Sequence, residues 1–238
     1  MTENEFKNKV VLITGAAGGI GRKLVERFNA LEAIVFPTDI AEMNSPRFLQ
    51  GDISEPSFIE IYINKVQSES GRIDILINNA GICPRTDLFE ITIDEWKKVL
   101  DVNINSTFLL SQRCLKIMVA QKSGVIINLA SLAGRVGGIA VGAHYSASKA
   151  AIGCLTKSLA RKGAPFGVRV NAVAPGVIDT DITRAASTEQ IESFKKTIPL
   201  GRIGNVDEVA APVIFLASKA ASYITGATLD INGGLHMD

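Results

Sequence analysis

The chain has few cysteines and few histidines. It contains three cysteines and two histidines among its 238 residues. The cysteines, Cys83, Cys114 and Cys154, are odd in number and far apart in sequence, which indicates neither a disulfide framework nor the spacing of a zinc site. We therefore expect reduced thiols that are mostly buried and take no part in catalysis. The histidines, His144 and His236, are too few and too distant in sequence to predict a metal site.

The chain also lacks an excess of charge of one sign and long apolar runs. Its 25 basic and 24 acidic residues give a net charge of +1, which indicates neither a nucleic-acid-binding surface nor a polybasic membrane patch. No apolar run approaches the roughly 18 residues that a membrane-spanning helix needs. Residues 1–9 are polar and include acids, unlike a secretory signal. We therefore expect a cytoplasmic protein that binds neither nucleic acid nor membrane.

Short β-branched runs alternate with longer amphipathic stretches along the whole chain. Strands are predicted at 10–13, 33–36, 48–49, 73–77, 124–129, 168–173 and 227–231. Helices are predicted at 19–30, 56–70, 93–121 with a break near 102–103, and 144–162. Apolar strands that alternate with helices indicate a parallel sheet covered on both faces, and right-handed crossovers make it doubly wound. We predict a single α/β domain of the Rossmann type over residues 1–238, with about seven strands.

The first predicted strand runs directly into a glycine-rich turn. Residues 14–21 read Thr-Gly-Ala-Ala-Gly-Gly-Ile-Gly, and a predicted helix follows. Glycines allow a tight turn and a close approach of the backbone to a pyrophosphate, while the start of the helix offers unpaired N–H groups and a partial positive charge. An ordinary loop is the alternative, because the spacing differs from the G-x-G-x-x-G form. The strand–turn–helix context favours a dinucleotide site.

An aspartate follows the second predicted strand. The carboxylate of Asp39 can accept hydrogen bonds from the ribose diol of an adenosine, and it would repel a 2′-phosphate. A solvated loop aspartate is the alternative explanation from position alone. The residue therefore favours NAD over NADP only if the glycine turn binds a dinucleotide.

Further short motifs follow in order along the chain. They are Asn78-Asn79-Ala80-Gly81, Asp101-Val102-Asn103, Ser131, Tyr145-x-x-x-Lys149, and Pro175-Gly176 with Thr180. Together with the glycine turn, this set resembles the short-chain dehydrogenase/reductase family in its single-domain branch. The resemblance covers essentially the whole chain. It implies an oxidoreductase that interconverts a secondary alcohol and a ketone, with the hydride chemistry supplied by a nicotinamide cofactor.

The resemblance implies that four side chains serve the chemistry. Tyr145 would be the general acid in ketone reduction and the base in alcohol oxidation, although a free tyrosine has a pKa of about 10. Lys149 lies one helical turn further on, where its charge would lower that pKa, and it would also bond the nicotinamide ribose. Ser131 would hold the substrate oxygen. The side chain of Asn103 would keep a water against the lysine.

Taken one at a time, these four residues have ordinary structural explanations. Tyr145 alone is most often a packed aromatic ring, Lys149 a solvated charge, Ser131 a loop serine and Asn103 a helix cap. The match at all four positions favours the catalytic interpretation. A non-catalytic nucleotide sensor would keep the glycine turn without needing Tyr145 and Lys149, and so would a methyltransferase on a similar sheet.

The resemblance also implies a set of cofactor-binding positions. They are Gly15, Gly19, Ile20 and Gly21 at the pyrophosphate, Asp39 at the ribose, Asp52 and Ile53 at the adenine, Asn79, Ala80 and Gly81 along the adenosine side, Tyr145 and Lys149, and Pro175, Ile178 and Thr180 around the nicotinamide. Members of the family that prefer NADP often place a basic residue where this chain has Ala16 and Ile40. We therefore expect NAD (NADH) as the cofactor, with NADP less favoured and no metal.

The substrate is less sharply indicated. Residues 171–176 and 226–234 look most like the 3-oxoacyl-[acyl-carrier-protein] reductase group. Two features depart from this group. Reductases of fatty-acid synthesis usually prefer NADPH, whereas Asp39 favours NAD. They also tend to carry an arginine that docks the carrier protein where this chain has Phe166, although Lys122 keeps a positive charge at the second docking position. Our best interpretation is a 3-oxoacyl (carrier-protein or CoA) reductase-like enzyme acting on a small-molecule alcohol or ketone, with weak support for a carrier-protein partner. A catabolic sugar, polyol or other secondary-alcohol dehydrogenase is the rival, and the resemblance implies a homotetramer.

Two segments are expected to shape the substrate pocket. Residues 181–200 would form a polar lid, with Ser187 able to start a short helix. Gly138, Ile139, Val141 and His144 would face the substrate or a neighbouring subunit. Because successive residues of a helix are turned by about 100°, His144 is less expected than Tyr145 to touch the substrate.

Overall fold

The strands are short, apolar and parallel. The computed structural model describes residues 4–138, 140–184 and 187–237. Within these ranges the strands are β1 (Val10–Thr14), β2 (Ile34–Asp39), β3 (Leu49–Gln50), β4 (Ile75–Asn78), β5 (Gly124–Leu129), β6 (Val168–Pro175) and β7 (Thr228–Ile231). They form one sheet in the order β3-β2-β1-β4-β5-β6-β7, with every adjacent pair parallel. The predicted doubly wound α/β sheet is confirmed.

Helices cover both faces of this sheet. They are α1 (Gly19–Ala30), α2 (Pro56–Ser70), α3 (Ile93–Leu100), α4 (Ser106–Gln121), α5 (Ala133–Val136), α6 (Ala143–Gly163), α7 (Asp181–Arg184), α8 (Thr188–Thr197) and α9 (Val206–Ala217). The apolar sides of α1 and α9 pack on one face, and those of α2, α4 and α6 on the other. Because both faces are covered, the strands are mostly apolar rather than alternating, and β1 and β4 are buried along their whole length.

The order of the strands reverses direction at β1. The chain moves from β1 outward to β2 and β3, then crosses back so that β4 pairs with the other side of β1. At such a point the two connections leave the sheet in opposite directions and open a crevice beyond the carboxyl ends of the strands. The glycine turn follows β1 and the Asn79–Gly81 segment follows β4, so the fold places both beside this crevice.

The expected break near residues 102–103 is a widened helical turn. Residues Asp101–Asn105 form a π-helical turn that joins α3 directly to α4. A π turn lengthens the spacing of the backbone hydrogen bonds and leaves carbonyls to be satisfied in other ways. Ser106 donates to the Val102 carbonyl at 2.6 Å, and Thr107 donates to the Asn103 carbonyl at 2.9 Å. The α-helix is therefore interrupted where the break was expected, but as a π turn within a continuous helical path that two hydroxyls support.

The segment expected to form a lid contains two short helices. Ser187 caps α8 through a capping box with Gln190, so the predicted helix start at Ser187 is confirmed. A second capping box joins Asn205 and Glu208 at the start of α9. No apolar residue of α8 is buried within the described part of the chain, which leaves the helix attached mainly by its ends.

Candidate active site

A cleft lies beyond the carboxyl ends of β1, β4, β5 and β6. It encloses about 310 Å³. Its walls are formed by Gly15, Gly18, Gly19, Ile20, Asn79, Ala80, Gly81, Cys83, Leu129, Ala130, Ser131, Tyr145, Lys149, Pro175, Gly176, Ile178, Thr180 and Thr183. The cleft therefore brings together residues that are up to 168 positions apart in the sequence, from Gly15 to Thr183.

Glycine is required at the turn after β1 because the backbone is both left-handed and crowded there. Gly15 has a φ of 63°, and a Cβ atom on it would lie 2.8 Å from Cα of Ala80. A Cβ atom on Gly21 would overlap the carbonyl oxygen of Gly15. Asn79 fixes this turn by donating from Nδ2 to the carbonyls of Thr14 and Gly15, at 3.0 and 2.9 Å. The turn is thus locked against the end of β4.

The start of α1 is open toward the cleft. Its N-cap residue is Gly18, which has no side chain to cap the first-turn N–H groups. Unpaired N–H groups at a helix start, together with the helix dipole, favour an anion such as a pyrophosphate. Gly18, Gly19 and Ile20 all line the cleft at this point. The glycine turn leaves room that a side chain would occupy, and the start of α1 is uncapped. Both features fit the pyrophosphate of a dinucleotide.

Asp39 lies at the end of β2, beside the glycine turn. One carboxylate oxygen accepts from the Ala17 N–H at 2.9 Å, and the other from the Ala41 N–H at 3.0 Å. The carboxylate is thereby held at the rim of the turn with further acceptor capacity on both oxygens. This placement fits a ribose diol donating to Asp39, and it sets a negative charge where a 2′-phosphate would lie.

The expected adenine contacts, Asp52 and Ile53, lie away from the walls of the cleft. Asp52 accepts from the N–H and the hydroxyl of Ser54, at 2.8 and 2.7 Å, through one oxygen. The side chain of Ile53 is buried in the core between the sheet and α2. Only the second oxygen of Asp52 and the backbone of Ile53 are left for a ligand. That these two residues contact the adenine stays a prediction.

Three of the four expected catalytic side chains meet at one end of the cleft. Ser131 follows β5, while Tyr145 and Lys149 lie one turn apart on α6. Tyr145 and Ser131 both line the cleft, and Ser131 lies close enough to lower the pKa of the tyrosine. Lys149 is buried beneath them, where its Nζ atom donates to the Leu129 carbonyl at 2.7 Å and lies 5.8 Å from the centre of the Tyr145 ring. The arrangement can hold a carbonyl or alcohol oxygen between two hydroxyls, with a cation nearby.

Burial shifts the pKa values of both titratable members of this group. It raises the pKa of Tyr145 to about 12, with a smaller rise from Cys83 and a partial lowering by Ser131. It lowers the pKa of Lys149 to about 8, which the Cys83 thiol partly opposes. The net shift of the tyrosine pKa is therefore upward, opposite to the direction expected from Lys149. Desolvation of the phenolate is its main cause.

Asn103 lies in the π turn, fully buried beside the catalytic group. Its Nδ2 atom donates to the Ile82 carbonyl and to the Ser148 hydroxyl, both at 3.0 Å, and its Oδ1 atom accepts from the Ile82 N–H at 2.8 Å. Both N–H donors are thus occupied, and one lone pair of Oδ1 is left. Oδ1 and the Nζ atom of Lys149 both face Gly81, at 3.3 and 3.4 Å from the position of a Cβ atom there. That Asn103 holds a water against Lys149 stays a prediction, and only the free lone pair of Oδ1 could bind that water.

Known proteins resemble this chain over nearly its full length. Residues 15–236 match the family model described as enoyl-(acyl carrier protein) reductase, a model of short-chain dehydrogenases. The 3-oxoacyl-[acyl-carrier-protein] reductase FabG of Salmonella typhimurium is 40% identical over 98% of this chain and 99% of that protein. The crystal structure of a short-chain dehydrogenase from Leptospira borgpetersenii with bound NAD+ has a TM-score of 0.93, with 35% identity over 100% of this chain and 96% of that one. The ligand-free aldohexose dehydrogenase of Thermoplasma acidophilum has a TM-score of 0.90, with 32% identity over 98% and 95%.

The chain belongs to the short-chain dehydrogenase/reductase family. It is an oxidoreductase that acts on CH–OH or keto groups with a nicotinamide dinucleotide, as the sequence resemblance implied. Within the described residues, no helix combines the length and apolar character needed to span a membrane.

Some walls of this dehydrogenase/reductase cleft were not anticipated from the sequence. They are Gly18, Cys83, Leu129, Ala130, Gly176 and Thr183. Each lies within three residues of an expected position, so proximity to the motifs was the available signal. Cys83 is the most consequential, because its thiol interacts electrostatically with both Tyr145 and Lys149. The expectation of mostly buried thiols holds for Cys114, whereas Cys83 is half-buried and Cys154 is exposed.

The segment expected to face the substrate lies outside the walls of the cleft. Gly138 is exposed and Val141 is half-buried at the rim, while Ile139 lies outside the described residues. His144 is fully buried and is not among the walls of the cleft, and whether it contacts the substrate stays a prediction. Gly21 and Asn103 lie behind the walls, beside Gly15 and Gly81 respectively, and Asp39 lies outside them, bonded to the Ala17 N–H.

Proposed function

We propose that this enzyme interconverts a secondary alcohol and a ketone with NAD(H), using Tyr145 as the general acid and base. The observation that supports this best is the meeting of Ser131 and Tyr145, above Lys149, at the end of a cleft that begins at the glycine turn. A polar group placed where charge changes during the reaction accelerates it most. Here, two hydroxyls would share the substrate oxygen.

Each side chain has a distinct part in ketone reduction. The cofactor supplies the hydride when bound. Ser131 holds the carbonyl oxygen by a hydrogen bond, and Tyr145 gives its hydroxyl proton to that oxygen as it becomes an alcohol. Lys149 stabilises the resulting phenolate and would bond the nicotinamide ribose. The raised pKa of Tyr145, about 12, keeps the tyrosine protonated and suits it to act as the acid.

We propose NAD(H) rather than NADP(H) because of the carboxylate beside the glycine turn. Asp39 is fixed at this rim by the N–H groups of Ala17 and Ala41. A 2′-phosphate would meet that fixed negative charge with no basic residue at Ala16 or Ile40 to offset it. The relative from Leptospira borgpetersenii was solved with bound NAD+.

For the substrate, we propose a 3-oxoacyl thioester as the first choice. This rests on the 40% identity to the 3-oxoacyl-[acyl-carrier-protein] reductase of Salmonella typhimurium. Docking of a carrier protein has weaker support. Lys122 and Phe166 lie just before β5 and β6, at the amino edge of the sheet. The six residues of β5 put them about 20 Å from the cleft of the same protomer.

A sugar, polyol or other secondary-alcohol dehydrogenase is the second candidate. It is favoured by Asp39, which opposes the 2′-phosphate of the NADPH that 3-oxoacyl reductases usually prefer, and by the close fold of the aldohexose dehydrogenase from Thermoplasma acidophilum. The two candidates share the reacting groups and differ in what fills the cleft beyond Tyr145.

We further propose a cytoplasmic homotetramer. The tetramer is supported by apolar side chains exposed on α3, α4 and β7, namely Ile93, Phe108 and Leu229. Light scattering should then give four times the mass of one chain.

A two-direction assay separates these candidates. Acetoacetyl-CoA is supplied with NADH or NADPH, and aldohexoses and secondary alcohols are supplied with NAD. We expect reduction of the thioester with NADH to be the fastest reaction. Faster oxidation of a sugar would favour the second candidate, and a preference for NADPH would overturn the cofactor proposal. Tyr145→Phe is the matched control, because a signal that survives in that variant does not come from this site.

A further inference from the structure

His144 is a buried ring that has no part in the proposed chemistry. It lies in the first turn of α6, one residue before Tyr145, and its side chain is fully buried. Its Nε2 atom makes no hydrogen bond to any residue that the structure describes. A buried polar atom in this state costs free energy, so a histidine here is a poor choice for packing alone.

The other ring nitrogen of His144 caps the helix that carries Tyr145. The N-cap residue of α6 is Gly142, which has no side chain for this purpose. Instead, Nδ1 of His144 accepts from the backbone N–H of Tyr145 at 3.0 Å. This bond satisfies one of the N–H groups that the first turn of a helix leaves unpaired. It also assigns the tautomer, because Nδ1 must be unprotonated and the neutral ring then carries its proton on Nε2.

The Nε2–H group faces a carboxylate on α3. Nε2 lies 3.4 Å from Oε1 of Glu95, and the same oxygen accepts from the Thr86 hydroxyl at 2.6 Å. The bond from Thr86, with a smaller contribution from His144, lowers the pKa of Glu95 below its usual value. Glu95 therefore stays ionised near neutrality and attracts the Nε2–H edge of the ring.

The loop after β4 completes this connection. Its Pro84 carbonyl accepts from the Gly142 N–H at 2.9 Å, and Thr86 belongs to the same loop. A Cβ atom on Gly142 would overlap the His144 ring, so the chain is closely packed there. The starts of α3 and α6 and the loop that follows the Asn79–Gly81 segment are thus joined at His144.

We propose that His144 is a positioning residue that fixes Tyr145 in the active site, by capping α6 through Nδ1 while Glu95 holds its Nε2–H edge. The proposal deepens the proposed function and rests on it. The neutral ring is the competent form, because a proton on Nδ1 would face the Tyr145 N–H and remove the cap. Glu95 is the charged group on α3 that faces the ring. In the loop, Cys83 interacts electrostatically with Arg85 and with Lys149 of α6.

The tautomer can be measured without any turnover. The chain has two histidines, so 15N-labelled histidine gives two ring systems, and the His144→Asn variant identifies the one that belongs to His144. We expect the proton of this ring on Nε2, with Nδ1 as a hydrogen-bond acceptor, and a changed Nε2 signal in Glu95→Gln. A ring protonated on Nδ1 would overturn the proposal.

Turnover then separates positioning from simple packing. His144→Leu fills the space without an acceptor, and misplacement of Tyr145 should lower kcat by about 10- to 100-fold. The Kd for NADH should not change. His144→Asn keeps an acceptor for the Tyr145 N–H, and it should retain most of the wild-type kcat. A His144→Leu variant as active as the wild type, or two variants that are equally slow, would contradict the proposal.

The two measurements fail in different ways. If the wild-type protein binds NADH but reduces no ketone, the proposed function fails, and the tautomer still decides whether His144 caps α6 through Nδ1. If the wild-type protein is active and the tautomer or the variant pattern is not as expected, the positioning proposal alone fails.

Discussion

The two edges of the same sheet are both polar, yet they use their polar groups differently. At the amino edge, Asp74 is buried and accepts from Lys9, Arg72 and the Val10 N–H. The guanidinium of Arg169 donates to the carbonyls at the end of α9, including Leu216 at 2.8 Å. A cavity of about 640 Å³ lies among these groups, twice the volume of the cleft at the carboxyl edge.

At the carboxyl edge, hydrogen-bonding capacity is left available. The start of α1 has a glycine cap, and among the contacts of the described residues Lys149 makes a single hydrogen bond with three donors. Asp39 keeps lone pairs on both oxygens after its two backbone bonds. The larger cavity is thus lined by a carboxylate and a guanidinium that already bond to several partners, and the smaller one lies beside groups that can still bind. The comparison teaches that unused donors and acceptors, rather than volume, indicate the functional edge.

The largest expected effect is on the carboxyl edge, in Tyr145→Phe. Loss of the proton donor should lower kcat by roughly 10²- to 10⁴-fold, because a positioned acid contributes about that much. Calorimetry should find a small change in stability, since one hydroxyl beside Ser131 is removed. NADH binding, followed by fluorescence, should survive. Near-normal turnover would show that Tyr145 is not the acid, and the contrast between a catalytic carboxyl edge and a structural amino edge would then fail.

The next effect is on cofactor choice, in Asp39→Ala. Removing the carboxylate should shift the kcat/KM ratio of NADH to NADPH toward NADPH by about 10- to 100-fold, which corresponds to roughly 1.4–2.7 kcal/mol. Steady-state kinetics with both cofactors measures this ratio. Asp52→Ala is the matched control, because Asp52 bonds Ser54 and lies away from the ribose position. An unchanged ratio in Asp39→Ala would mean that another residue sets the preference.

The amino edge should respond in stability instead of activity. Asp74→Asn keeps the shape of the side chain but loses the charge that Lys9 and Arg72 contact. We expect a loss of roughly 1–3 kcal/mol in the free energy of unfolding, as for a buried polar group left with imperfect partners. Denaturant unfolding measures it, and kcat of the folded variant should equal that of the wild type. A loss of activity without a loss of stability would reverse the assignment of the two edges.

The smallest expected effect is the change with pH of the stability difference between the wild type and Asp74→Asn. Burial acts to raise the pKa of Asp74, but the bonds from Arg72 and the Val10 N–H and the charge of Lys9 together lower it from 3.8. A lowered folded-state pKa gives stability that is present above the unfolded value and lost as the pH falls through the folded one. The gap between wild type and Asp74→Asn should therefore be full at neutral pH and narrow below about pH 4. A gap that stays constant into acid would exclude the charge as its origin.

The order of elements and the motifs were readable from the sequence. Apolar strands, the glycine turn after β1 and the Tyr145–Lys149 spacing all depend on neighbouring residues, so local patterns carry them. Helix boundaries at 19–30 and 56–70 agree with Gly19–Ala30 and Pro56–Ser70. The π turn was not readable, because it depends on where the Ser106 and Thr107 hydroxyls find their carbonyls.

The sequence by itself determined the fold and the family and supplied the proposed reacting side chains, because these follow from periodicity and from short motifs. Only the tertiary structure decided the electrostatics and the connections among those side chains. In the structure the pKa of Tyr145 is raised rather than lowered, and both N–H donors of Asn103 bond to Ile82 and Ser148. His144 lies between the Tyr145 N–H and the Glu95 carboxylate. Each of these depends on burial and on contacts between residues distant in the chain. Such properties arise only when the helices and strands pack together.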